Sequence, residues 1–79
     1  NTSIEEGLEV GAAVEEIDIL DLNESMSRTG REDLLLVYGN LRRGSENHLR
    51  AFVNNLERRG VEYSPQYLPL EEYDAIMAQ

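Results

Sequence analysis

The sequence predicts an all-α fold: an antiparallel two-helix hairpin plus a short C-terminal helix, together half of a four-helix bundle completed by dimerisation. Three observations carry this expectation. Two long segments repeat apolar residues at i, i+3, i+4 spacing. Only a short break at Thr29–Gly30 separates them, which makes them antiparallel neighbours. A chain of 79 residues with no Cys has a marginal core, and its hairpin presents a wide apolar face that it cannot bury alone. The whole chain reads as one helical module over residues 1–79, with helices at about 3–28, 30–59 and 69–78 and a connector at 61–68.

The first helix opens on Ser3 and Glu6, the spacing of a capping box. Leu8, Ala12, Ile19, Leu22 and Met26 form one row, with Glu15 interrupting it, and Val10, Val14, Ile17 and Leu20 form a neighbouring row. Gly7 and Gly11 lie one turn apart and invite close approach by another backbone. About 26 helical residues span roughly 39 Å. The second helix is predicted from Thr29, with Glu32 completing another capping box. Its row is Leu34, Tyr38, Leu41, Ser45, His48, Phe52 and Leu56, widened by Leu35, Leu49 and Val53. Gly44–Ser45 is a candidate kink. Arg58 and Arg59 suit the negative end of the helix dipole, and Gly60 is a natural left-handed stop. The residues before Pro65 and Pro69 are pushed towards extended backbone, so Tyr63–Leu68 reads as a connector. Pro69 then fits the first position of the last helix. Leu70, Tyr73, Ile76 and Met77 dock that helix on the hairpin, and all four Tyr read as packing residues with polar tips.

Charge narrows the function classes. Seven cations, all Arg, stand against 16 acidic residues, a net of −9. A nucleic-acid binder needs a basic face, and this chain has none. Without Cys there are no disulfides, Cys-ligated zinc sites or iron–sulfur clusters. No apolar run approaches the roughly 20 residues of a membrane span. The first residues are polar and acidic, so no signal peptide is read and the default location is cytoplasmic; the absence of an initial Met suggests a piece of a longer chain. Asn1-Thr2-Ser3 and Asn23-Glu24-Ser25 match the glycosylation pattern but carry no meaning without a secretory signal.

The charge is also segregated. Residues 1–28 hold eight acids and one Arg, residues 29–60 hold six Arg and four acids, and residues 61–79 hold four acids. A turn at Thr29–Gly30 places Asp18 beside Arg42 and Ile17 beside Arg43. Asp18, Asp21 and Glu24 then read as a solvated stripe paired with Arg42 and Arg43, a pattern that fixes register more than it stabilises.

One constellation has chemical potential. His48, the single His, falls in an apolar row, and Glu15 interrupts the facing row within a helical turn of it. Three readings are open: an interior hydrogen bond, half of a metal site within a bundle, or a pair turned to solvent. A buried carboxylate needs a partner or a metal to stay charged. A catalytic triad is excluded by the lack of Cys and of a serine elbow.

The runs Val10-Gly11-Ala12-Ala13-Val14-Glu15-Glu16-Ile17-Asp18-Ile19-Leu20-Asp21-Leu22 and Val37-Tyr38-Gly39-Asn40-Leu41-Arg42-Arg43-Gly44-Ser45-Glu46-Asn47-His48-Leu49-Arg50-Ala51-Phe52 resemble helices of the prokaryotic domain of unknown function 2202 family. The tail Tyr63-Ser64-Pro65-Gln66-Tyr67-Leu68 resembles it too. That family is placed in the ferritin-like superfamily of four-helix bundles, many with a two-metal carboxylate site. The resemblance implies that this chain is the C-terminal half of such a domain, with the N-terminal half as a further partner. It implies Glu15 or Glu16 as the lone carboxylate of the third helix and His48 as the histidine of the fourth. Two copies packed face to face bring two His48 and two Glu15 towards one axis, a donor set suited to Fe, Zn or Mn. Ser45 stands where the superfamily has a Glu three residues before the His. The expected role is a structural, dimerising module without catalysis of its own, the alternative being a metal-binding bundle with redox activity in the full-length parent.

Overall fold

The computed structural model describes residues 3–79, so Asn1 of the first glycosylation match lies outside the described residues. Helix α1 spans Ile4–Arg28, α2 spans Glu32–Arg58 and α3 spans Leu70–Met77. Ser3 caps α1: its Oγ accepts from the Glu6 amide at 3.1 Å, and its hydroxyl donates to the Glu6 carboxylate at 3.2 Å. At the far end of α2 the Val61 amide donates to the Leu56 carbonyl and the Gly60 amide to the Glu57 carbonyl. Gly60 has a φ of 80°, so these bonds form a Schellman stop of the kind glycine adopts without steric cost.

The start of α2 differs from the expected capping box. Thr29 and Glu32 do not cap each other. Thr29 Oγ1 accepts from the Arg31 amide, Arg31 is the N-cap, and Asp33 Oδ1 accepts from the Leu34 amide. A three-residue link therefore replaces the expected two-residue break, and the centre of the turn moves towards Arg31. The pairing register shifts by about one helical turn. Arg42 Nη1 donates to Asn23 Oδ1 at 2.9 Å instead of meeting Asp18, and Arg43 pairs with Asn40 of its own helix. Glu24 pairs with Arg28. Helix α2 runs unbroken through Gly44–Ser45, and Pro69 is the N-cap of α3, not its first residue.

The core lies on one side of the hairpin only. Ala12 and Ile19 from α1 and Leu49, Val53 and Leu56 from α2 meet Tyr63, Leu68, Tyr73 and Ile76 from the C-terminal segment. The rings of Tyr63 and Tyr73 stand 6.2 Å apart at 43°. Polar anchors complete the docking. Arg50 Nη1 donates to the Ile76 carbonyl at 2.9 Å, where the dipole of α3 ends. Asn23 Nδ2 donates to Glu72 at 2.8 Å while its own oxygen accepts from Arg42, so one residue ties all three helices. Gly11 is the one helical glycine whose side chain space is filled: an added Cβ would sit 2.7 Å from the Phe52 ring. The close approach is made by that ring, not by a backbone. Among the described residues no helix is long and apolar enough to cross a membrane.

Candidate functional site

Glu15 and Glu16 are neighbours on α1, about 100° apart around the helix, and the hairpin uses them for opposite purposes. Glu16 points to the core side and is fully buried. Its carboxylate receives the amides of three consecutive residues. Gln66 donates at 3.1 Å, Tyr67 at 2.9 Å and Leu68 at 2.9 Å, and the Tyr63 hydroxyl donates to the second oxygen. Burial alone would raise the Glu16 pKa, but the bonds from Leu68, Tyr63, Tyr67 and Gln66 outweigh it and hold the carboxyl below its ordinary 4.5. In turn, burial and then the Glu16 carboxylate push the Tyr63 phenol well above its ordinary value. The connector is thus a backbone cradle closed around one carboxylate. No side-chain pattern in the sequence announces this role, because the donors are mostly main-chain amides. The hint in the sequence is that two adjacent Glu compete for one interruption of an apolar row.

Glu15 points to the opposite, open side. A groove of about 600 Å³ runs between α1 and α2 there, with Glu15, Asp18 and Leu22 on one wall and Leu41, Ser45 and His48 on the other. A second hollow of about 360 Å³ continues it towards Leu8 and Phe52. The open face is therefore apolar at both ends and polar at its centre. Glu15 Oε2 and His48 Nδ1 stand 3.5 Å apart at that centre. The Glu15 side chain is 15% exposed and that of His48 68% exposed, so the pair is not an interior one in a single chain.

Of the three residues expected as metal ligands, the structure brings together Glu15 and His48. Glu16 does not join them: its oxygens are engaged by four donors on the far side of α1. Among the described residues no three His, Asp or Glu side chains are grouped to hold a metal ion. Glu15 and His48 supply one oxygen and one nitrogen, donors that suit Fe, Zn or Mn but make two ligands, where a stable site takes three or four. Tyr63 and Tyr73 are buried, as expected of packing residues, whereas Tyr67 is exposed.

A family model described as an uncharacterized protein domain, DUF2202, matches residues 1–79. The chain belongs to this family. It is 47% identical over 73 residues to the uncharacterized protein MJ0754 of Methanocaldococcus jannaschii, a match that takes in 92% of this chain and 40% of that protein. This DUF2202 chain also superposes on the crystal structure of the hypothetical protein MJ0754 with a TM-score of 0.93 at 45% identity, over 98% of this chain and 44% of that one. It therefore spans less than half the length of the relatives it matches. The solved relative shares the fold of the hairpin and its docked C-terminal segment.

Proposed function

We propose that this chain is a structural helical module, a ferritin-like half-bundle that completes four helices by pairing with a second copy across the open α1–α2 face, with no catalysis of its own. The observation that carries the proposal is the one-sided core. The chain covers one side of its hairpin with its own C-terminal segment and leaves the other bare, with Leu41 54% exposed and Val37 50% exposed along the same helix. Two long amphipathic helices gain by burying such a face against another pair. Sedimentation velocity at micromolar concentration tests it. A particle of twice the 9.0 kDa chain mass is expected. A monomer that still melts cooperatively refutes it.

A second reading is favoured by the Glu15–His48 pair. Two copies meeting on this face bring two carboxylates and two imidazoles together, enough ligands for Fe, Zn or Mn. In that reading the chain's own contribution is to hold His48 opposite Glu15 across the hairpin. Metal titration of untagged protein, with and without His48→Ala, is the check; binding that survives the substitution removes this reading.

A further inference from the structure

We infer that the second copy pairs in a single orientation: the two-fold axis runs along the bundle, so α1 of each copy packs against α2 of the other. The inference rests on the pairing proposed above and adds its geometry. Two hairpins laid face to face have two symmetric solutions. With the axis along the helices, each α1 faces the other copy's α2 and both Thr29–Arg31 turns lie at one end. With the axis across the helices, α1 faces α1, α2 faces α2, and the turns lie at opposite ends. Every neighbouring helix pair is antiparallel in both, so the helix dipoles do not choose between them. The apolar ends do not choose either, since Leu22 and Leu41 at one end and Leu8 and Phe52 at the other are both apolar.

The charges choose. On the open face the carboxylates all come from α1, as Glu15, Asp18 and Asp21, while α2 contributes Asn40, Ser45 and His48. An axis across the helices sets three carboxylates against the same three of the second copy, and like charges brought together in a closing groove oppose that arrangement. An axis along the helices sets them against Asn40, Ser45 and His48, each able to donate a hydrogen bond to a carboxylate. The same contrast holds for whole segments: residues 1–28 carry eight acids and one Arg, and residues 29–60 carry six Arg and four acids.

The turn reports the answer directly. The chain has no Cys, Gly30 is exposed, and a Cβ added there meets nothing within 4 Å. A nitroxide on Gly30→Cys gives one label per copy, read by pulsed dipolar spectroscopy. The expected result is an inter-label distance below about 25 Å, the scale of two helix diameters. The opposed arrangement has its axis at the Asp18 level, where the three carboxylates meet their counterparts; each turn then lies about 12 residues, or roughly 18 Å, from that level, which gives about 36 Å between labels. A distance near that value overturns the inference and leaves the pairing intact. Absence of any dipolar signal at concentrations where dimer is expected overturns the pairing itself. Asp18→Asn combined with Asp21→Asn in the labelled chain should raise the long-distance population; no change would show that these carboxylates do not set the orientation.

Discussion

Glu16 holds the C-terminal segment on the hairpin, and replacing it with Gln should separate this role from that of its neighbour. Glu16→Gln keeps the side chain's shape and removes its charge. Four donors now address that carboxylate: the amides of Gln66, Tyr67 and Leu68 and the hydroxyl of Tyr63. A hydrogen bond to a charged group contributes about 1.5–3 kcal/mol and a neutral one about 0.5–1.5 kcal/mol. An amide also presents its own N–H donors where one carboxylate oxygen stood, so at least one bond is lost outright. Allowing for relaxation, the expected cost is about 2–4 kcal/mol. That is a large share of the roughly 4–12 kcal/mol typical for a domain of this length. Glu16→Ala leaves every donor without an acceptor and should undock residues 61–79. Urea melts give the stability change, and hydrogen exchange at the amides of Gln66, Tyr67 and Leu68 locates it. Glu15→Gln, one residue away but facing the open groove, should cost less than about 1 kcal/mol, as befits a half-exposed pair. A Glu16→Gln chain within about 0.5 kcal/mol of the parent, or with unchanged protection at residues 66–68, would show that the carboxylate does not hold the connector.

The same carboxyl sets a pH dependence. Its folded-state pKa lies below the ordinary 4.5, so its contribution is complete above that value and is lost as pH falls through the folded pKa. The stability gap between the parent and Glu16→Gln should thus be full at neutral pH and close in acid, measured by urea melts across that range. Tyr63 runs the other way: its raised pKa means stability present below the ordinary 10.0 and lost as pH rises beyond it. Tyr63→Phe should cost about 1.5–3 kcal/mol at neutral pH through the lost bond to Glu16 and should flatten the alkaline decline. Gly7→Ala, where an added Cβ meets nothing, should raise stability by about 0.5–1 kcal/mol in thermal melts. Gly11→Ala should forfeit that gain against the Phe52 ring and recover it in a Phe52→Ala background, a coupling read by a double-mutant cycle.

Much of the architecture was legible because it depends on local chemistry. Ser3 with Glu6, Gly60 and Pro69 mark helix ends by the backbone groups they satisfy or free, and they do so within one residue of the positions observed. The opposition of Glu15 and His48 was legible from helical spacing, and the shift of register brings them more directly face to face. The shift itself was not legible. Thr29 and Asp33 each had two ways to satisfy a backbone amide, and the one adopted adds a residue to the turn. Glu16 was legible only as half of an ambiguity. Its partners lie about fifty residues away in an irregular segment and are chiefly main-chain amides, which leave no trace in side-chain identity. His48 falls in an apolar row, and of its three open readings the interior one does not describe the single chain: His48 is the more exposed member of its pair, because its row of α2 faces the uncovered side of the hairpin.

In the pairing proposed above, two copies meet on the uncovered side of the hairpin. Leu41 lies on it and is already 54% exposed in the single chain, so Leu41→Asp should leave the fold intact while placing a charge in the proposed interface. Native mass spectrometry of the parent and this variant, with helicity checked by circular dichroism, reads the pairing. The parent is expected at twice the 9.0 kDa chain mass and the folded variant at the chain mass. A parent that flies only as a single chain, or a variant that pairs as well as the parent, would contradict pairing on this side.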